Sequence, residues 1–500
     1  MLYVYINDDR FGYEVGELIK VFIPPSNFEF IKKETVDLSK DLLLIIYATY
    51  SDDYGEISVQ LIEKGETIGS VSTPEVLENA YKAVKKDIKE GIKRGIFLLF
   101  KKYYHYQPPW GILTGVRPTK MVNEMAESGM KEQEIIEKLR YFYYIHEEKV
   151  NLLLEVCRNE KEILKNTLNK KISLYIGIPF CPSKCIYCSF TSYPADVQKM
   201  DKYLDALAQE IVFAGKKLSQ ANLEIETIYI GGGTPTALTE SQLNRLLAQV
   251  DEAFDLSDLK EYSIECGRPD TITKKKLEIM KAFQVNRISI NPQTMKEETL
   301  IRIGRKHSAQ QIIEAYDLAR QSGFDNINMD LIAGLPNETL EDFKYSINAL
   351  LQLKPENITI HTLSLKKASK LKEEREEYTY ESEEQVASML NISSNLLKQY
   401  HYYPYYMYRQ KYMSGNFENV GYCKKNNQCI YNIRIMEEKQ TIIALGAGGI
   451  SKIFYPFENR LERVPNVSNY EIYIERIQEM EERKSNLIFA NIDNKISNTL

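Results

Sequence analysis

Residues 174–190 read Leu174-Tyr-Ile-Gly-Ile-Pro-Phe-Cys181-Pro-Ser-Lys-Cys185-Ile-Tyr-Cys188-Ser-Phe190. The segment Ser173–Phe180 is an apolar run of strand length, and three cysteines spaced C-x3-C-x2-C follow it at once. Three thiolates can hold three corners of a [4Fe–4S] cube, since thiolate is the usual protein ligand of such clusters. The fourth iron is then left without a protein ligand. An open iron on a redox cluster is a reaction site, and it suggests radical chemistry with S-adenosylmethionine (SAM), a cofactor that does what side chains cannot.

Other fates for these cysteines fit less well. Structural zinc usually takes four Cys or His ligands in paired short spacings, whereas the nearest histidine, His146, lies well upstream. A disulfide framework sits poorly with seven cysteines, an odd number. It also sits poorly with an N-terminus, MLYVYINDDR, that has no basic-then-apolar leader. Cys157, Cys266, Cys423 and Cys429 stand apart and read as small core residues.

The chain has 500 residues, which suggests two to four domains, and it is 43% hydrophobic, enough for sizeable cores. A net charge of −6 argues against broad nucleic-acid binding, which needs a basic face. No apolar run approaches the roughly 20 residues of a membrane span. A cytoplasmic protein is expected.

Working outward from the cysteines, residues 172–365 alternate strands and helices. Strands are expected at 173–180, 225–230, 261–266, 286–291, 326–336 and 357–365. Helices are expected between them at 203–218, 241–254, 275–283, 312–323 and 340–353. The fold class is α/β: a partial (βα)6 TIM-like barrel core over 168–370, with ligands at the C-terminal ends of the strands. An α+β N-terminal domain occupies 1–167. Its first part, 1–70, reads as β-rich, with strands at Leu2–Ile6, Val15–Ile23, Leu42–Tyr50 and Ile57–Ile62. From Thr73-Pro-Glu-Val the pattern turns helical and continues to 167. Within it Arg117 and Lys120 read first as charges on an inter-helix turn. A mixed C-terminal region, 371–500, opens with a charged stretch at 370–384 and completes the active site.

Further motifs fall at the strand ends. After Ile225–Ile230 comes Gly231-Gly-Gly-Thr-Pro-Thr236, where glycines let backbone N–H groups approach a ligand closely. No Lys-Ser/Thr follows, so it is not a phosphate-binding P-loop. Glu265 ends a strand, Gln293 follows another, Arg305 lies in Ile303-Gly-Arg-Lys-His-Ser308, and Asp330 opens Asp330-Leu-Ile-Ala-Gly-Leu-Pro336.

In this combination and order the chain resembles the oxygen-independent coproporphyrinogen III oxidase (dehydrogenase) family of radical SAM enzymes, over about residues 172–365. The first 165 residues match no family motif and suggest a long-chain subgroup. The resemblance implies that Cys181, Cys185 and Cys188 ligate the cluster. It implies that Gly232, Gly233 and Thr234 line the methionine part of SAM, with Glu265 facing its ammonium and Arg305 its carboxylate. Gln293 and Asp330 would bond the ribose hydroxyls, and Tyr175 and Tyr187 would pack near the cluster and cofactor. The implied activity is oxidative decarboxylation of two propionates of coproporphyrinogen III to vinyls, giving protoporphyrinogen IX in haem biosynthesis, with a reducing electron donor as partner. Some relatives of this architecture instead bind and deliver haem, and a radical enzyme for another substrate is the remaining alternative.

Three positions depart from the family pattern: Gly177 where His is frequent, Phe190 where decarboxylating members carry a fourth cysteine, and Asn291-Pro292 before Gln293. A tetrapyrrole substrate would suit the aromatic stretch 400–412, with Arg409, Lys411 and Arg434 meeting its propionates. The same stretch also reads as a half-buried strand with aromatic cross-strand pairs. Ala444–Ser451 is a small-residue turn that a ligand could approach. His307, His361 and His401 are candidate haem ligands.

Overall fold

The computed structural model describes residues 1–32, 41–50, 54–76, 81–165, 170–364, 369, 371, 380, 382–410 and 414–486. Contacts divide the chain into two compact units, Met1–Leu154 with Gly415–Phe417, and Glu155–Ser414 with Glu418–Leu500.

The first unit holds a five-stranded sheet of β1 (Leu2–Ile6), β2 (Phe28–Phe30), β3 (Leu42–Tyr50), β4 (Tyr54–Glu63) and β5 (Glu66–Val76), in the order β2-β1-β3-β4-β5. Helices Gly12–Ile19 and Tyr81–Tyr104 supply Val15, Leu18, Ile19, Ile88, Ile92, Ile96 and Phe100 to a core shared with Val4, Ile46 and Val59 of the sheet.

Two expectations are corrected here. Val15–Ile19 is helical and not strand. Its buried residues Val15, Leu18 and Ile19 recur at intervals of three and four, which is a helix face, and a short apolar run does not by itself distinguish the two. Thr73-Pro-Glu-Val76 ends strand β5 and does not begin a helix, for Thr73 pairs with Ile57 and Val76 with Tyr54 of β4. β5 is the sheet's edge strand, where the N–H that proline lacks need not be paired.

The second unit is built on β6 (Lys171–Ile178), followed by the two-residue strands β7 (Phe180–Cys181) and β8 (Tyr193–Pro194). Then come β9 (Glu224–Gly232), β10 (Glu261–Gly267), β11 (Arg287–Ile290), β12 (Ile327–Ala333) and β13 (Asn357–Thr362). β6-β9-β10-β11-β12-β13 pair in sequence order, all parallel. The returning helices Val197–Gln220, Glu240–Ala253, Lys274–Ala282, Ala309–Gln321 and Leu340–Leu353 each start at a capping side chain. Asp196, Thr239, Thr273, Ser308 and Thr339 accept a first-turn backbone N–H, which fixes where each crossover turns into helix.

The arc is not closed by pairing β13 with β6. The tail strands flank it instead: β14 (Tyr403–Tyr408) and β15 (Asn419–Cys423) add beyond β13, while β16 (Ile442–Leu445), β17 (Ile450–Tyr455) and β18 (Arg460–Pro465) add beyond β6. The expected partial barrel is therefore present, with its six core strands where the sequence placed them. No helix among the described residues is long and apolar enough to cross a membrane.

Register brings the motifs together. Gly177 and Ile178 of β6 lie opposite Gly231 and Gly232 of β9, so the entry to the cysteine loop and the glycine run leave the sheet side by side. Glu265 lies opposite Ser289, and Ile332 opposite His361, at the same end of the sheet.

Candidate metal and cofactor centre

A cavity of about 540 Å³ opens at the C-terminal ends of the parallel strands. Tyr175, Tyr187, Gly232, Gly233, Thr234, Glu265, Gln293, Arg305 and Asp330 all line it, together with Cys181, Cys185 and Cys188.

The cysteine loop is held from several sides. Tyr193 N–H bonds the Pro179 carbonyl at 2.8 Å and Ala195 N–H bonds that of Cys181 at 3.1 Å, which closes the loop on itself. Ile186 N–H reaches the Ile303 carbonyl at 3.2 Å. All three thiols are free. Burial pushes the Cys181 thiol up, opposed by hydrogen bonds from Thr234 and Ser192, and burial likewise raises Cys188. Among the described residues, no three His, Cys, Asp or Glu side chains converge on one ion.

The glycine run is a cradle in the literal steric sense. A Cβ on Gly231 would stand 2.9 Å from Glu265 Oε2. One on Gly233 would stand 2.6 Å from the Phe180 carbonyl and 3.0 Å from Cys181 Sγ. Gly232 has φ +113°, a conformation that favours glycine. Beside it, Thr234 Oγ1 donates to Cys181 Sγ at 3.4 Å.

Glu265 accepts from Tyr229 OH at 2.5 Å and from Gly232 N–H at 3.2 Å. Burial still wins, and with the nearby Asp330 charge it pushes the carboxyl up to about 7. Asp330 behaves oppositely. Burial opposes its charge, but His361 Nε2 at 3.5 Å and Asn328 Nδ2 at 2.7 Å hold it below the ordinary carboxylate range.

Gln293 has φ +71°, an unusual backbone for a non-glycine residue. Two bonds impose it: Gln293 N–H to the Asp330 carbonyl at 2.9 Å, and Ile332 N–H to the Gln293 carbonyl at 3.0 Å. Arg305 donates to the Asn291 carbonyl and to Tyr187 OH, the latter at 3.2 Å.

Among the described residues, four buried polar atoms on this wall have no hydrogen-bond partner: Gln293 Oε1, Arg305 Nε, Ser289 Oγ and Asn291 Oδ1. An unmet buried polar atom costs about 1–3 kcal/mol. Several on one cavity wall, facing a glycine cradle and three free thiols, fit a polar cofactor bound beside a cluster.

Two of the three suggested substrate cations, Arg434 and Arg409, do not line this cavity. Arg434 is 1% exposed and pairs with Glu226, with Nε to Oε2 at 2.9 Å, because the sheet interior leaves that carboxylate no water. Arg409 is buried, does not line the cavity, and is pulled down to about 10 by burial. Lys411 lies outside the described residues. Of the histidines, only His361 lines the cavity, and Tyr408 OH and Asp330 engage both its nitrogens. The turn at Ala444–Ser451 lies against Gly177 but does not line the cavity either.

Sequence reasoning missed Tyr229 and Tyr431. Their rings stack at 4.6 Å and 17° on the cavity wall, with the Tyr175 ring 6.4 Å from each. Strand alternation could have found Tyr229, two residues before Gly231 on the same face. Tyr431 comes from a tail helix that no local pattern relates to β9.

Residues 175–350 match the family model of the Radical SAM superfamily. The chain is 36% identical over 484 residues, 96% of each chain, to the oxygen-independent coproporphyrinogen-III oxidase-like protein HemZ of Bacillus subtilis (strain 168). It is 41% identical over 192 residues to the heme chaperone HemW of the same organism, covering 38% of this chain and 50% of that protein. The solved structure of coproporphyrinogen III oxidase (HemN) from Escherichia coli, a radical SAM enzyme, superposes with a TM-score of 0.51 at 20% identity, covering 76% of this chain and 78% of that one.

Proposed function

The chain belongs to the oxygen-independent coproporphyrinogen-III oxidase-like branch of the radical SAM superfamily, and from that premise we propose that it oxidatively decarboxylates coproporphyrinogen III without oxygen. Its cofactors are those of the superfamily, a [4Fe–4S] cluster and SAM. The 36% identity across 96% of both chains to a protein named as oxygen-independent coproporphyrinogen-III oxidase-like carries the proposal.

In this reading Cys181, Cys185 and Cys188 would hold the cluster, with SAM bound beside it. Bound together, the two cofactors supply one-electron cleavage of a sulfonium and a radical able to take a hydrogen atom from carbon. The protein's part is binding, orientation and exclusion of water. Gly232, Gly233 and Thr234 let the amino-acid end of SAM lie against backbone. Glu265 meets its ammonium and is ionised by that contact, and Arg305 meets its carboxylate. Gln293 and Asp330 take the ribose hydroxyls, which answers the orphaned Gln293 Oε1. Tyr175 and Tyr187 close the cavity around the cofactor. Tyr229, Tyr431, Tyr406 and Tyr408 give an aromatic wall suited to a flat tetrapyrrole. Each propionate would lose a hydrogen atom, carbon dioxide and one electron, the last to an external electron acceptor, to become a vinyl, with a reducing electron donor as partner.

A second reading, haem binding and delivery, is favoured by one observation. Phe190, 64% exposed at the cavity, stands where decarboxylating members carry a fourth cysteine. Anaerobic incubation of reconstituted protein with SAM, a reductant and coproporphyrinogen III separates the readings. Vinyl product and carbon dioxide support the decarboxylase. Stable haem binding without turnover supports the carrier, and 5′-deoxyadenosine formed only with some other substrate overturns both. Cys185→Ala is expected to lose cluster iron and SAM cleavage together, and retention of both refutes the ligand assignment.

A further inference from the structure

The middle of the cysteine loop, between Cys181 and Cys185, is gripped by a residue outside every motif considered so far. Arg268 follows β10 and is 3% exposed. Its Nη1 donates to Ser183 Oγ at 2.7 Å and reaches the Ser183 carbonyl at 3.4 Å. On its other edge, Nε meets Asp270 Oδ1 at 3.1 Å and Nη2 meets Oδ2 at 3.3 Å. The guanidinium is thus oriented by a two-point grip, leaving one nitrogen free to bind the loop. A lysine ammonium cannot span both partners in this planar way. Ser183 passes the constraint on, because its hydroxyl also lies 3.2 Å from the Gly304 carbonyl, at the turn before Arg305. The backbone of Arg268 is fixed in turn, since it caps the short 3-10 helix Pro269–Thr271.

We propose that Arg268 is a positioning residue for the cluster: it pins the loop through Ser183 and sets a fixed, buried positive charge behind the cysteines. The inference rests on the three cysteines holding a cluster and is independent of which substrate is used. Net charge and hydrogen bonding around the sulfurs tune a cluster's potential. Arg268 lines the same cavity as all three cysteines. In a site with little water a full charge is poorly screened. A positive charge favours the reduced, more negative cluster, so Arg268 raises the midpoint potential and eases electron entry.

The test is a redox titration followed by EPR on anaerobically reconstituted full-length protein, with the rate of iron loss to a chelator as second readout. Arg268→Gln is expected to give a more negative midpoint potential than wild type and several-fold faster iron loss. Arg268→Lys should restore most of the potential but not the iron retention, because it keeps the charge and loses the fork. Should Arg268→Gln fail to fold because Asp270 is left unpaired, the double variant R268Q/D270N removes both charges and is expected to keep the faster iron loss with a smaller negative shift, because the lost carboxylate, on the edge of the guanidinium away from Ser183, offsets part of the lost positive charge. A wild-type cubane together with unmoved potential and iron retention in these variants overturns this inference alone. A wild type without a cubane overturns the cluster reading and this inference with it.

Discussion

Tyr229 OH donates to Glu265 Oε1 at 2.5 Å, so one phenol of a stacked tyrosine pair holds the carboxylate that the glycine run also touches. Burial drives that carboxyl up to about 7 from 4.5 in an unfolded chain. Between those values the folded protein binds more protons than the unfolded one, so stability without cofactor falls as pH rises from 4.5 to 7. The loss is at most about 3 kcal/mol, since part of the side chain faces the cavity, where water screens it. Urea denaturation across that window should show the decline in wild type and a flatter profile in Glu265→Gln.

The same carboxyl should ionise when a cationic group is placed against it. SAM binding near neutral pH is therefore expected to release a fraction of a proton. Calorimetry in buffers of different ionisation enthalpy reads this directly, and proton-neutral binding would remove Glu265 from the ammonium.

Gly233→Ala should be far more damaging than its single methyl suggests. The new Cβ would meet the Phe180 carbonyl at 2.6 Å and Cys181 Sγ at 3.0 Å, and neither the backbone nor a cluster ligand can give way cheaply. Loss of cluster incorporation with retained secondary structure is expected, measured by iron content and far-UV circular dichroism. Gly12→Ala is the control: nothing lies within 4 Å of its Cβ, and the change should stay within about 1 kcal/mol.

The barrel and its cofactor end were legible because the signals were local. Each strand is a short apolar run, each helix is periodic and capped, and Glu265 and Gln293 lie at or just past strand ends, whereas Asp330 sits within β12 and Arg305 follows the short helix Glu297–Arg302. The first unit was less legible. Val15–Ile19 is too short to reveal its period, and Thr73–Val76 carried a helix-start signature that edge pairing with β4 overrode. Partner choice across the fold was the other limit. Arg434 looked like a substrate cation because nothing in its neighbourhood announces Glu226, two hundred residues earlier. Arg268 escaped notice because its role appears only once Asp270 and Ser183 flank it.

Asp330→Ala should weaken SAM binding by roughly 10- to 100-fold, the equivalent of one hydrogen bond to a charged group, while leaving iron content intact. Its carboxylate bonds Asn328 and faces His361, and no cysteine touches it. His361→Ala should cost less, since Asn328 still orients the carboxylate. Equal losses would mean that His361 itself contacts the ligand.

Glu210 and Lys484 form an ion pair at 2.6 Å with both side chains fully buried. The carboxylate is completely satisfied: Oε2 accepts from Gly446 N–H at 2.7 Å and Tyr473 OH at 2.6 Å, and Oε1 also accepts from Asn466 at 2.8 Å. The pair therefore ties the helix Ile477–Lys484 to the turn after β16, which packs against Gly177 and, through Tyr203, bonds its carbonyl at 2.6 Å. Removing one partner buries an uncompensated charge, which costs about 3–5 kcal/mol. Lys484→Met should lower stability by that much in urea denaturation, and the double variant E210L/K484M should recover most of it. Because the turn adjoins the strand that delivers the cysteines, Lys484→Met should also lose iron faster than the double variant, and equal rates would show that the clasp stabilises the tail without steadying the site.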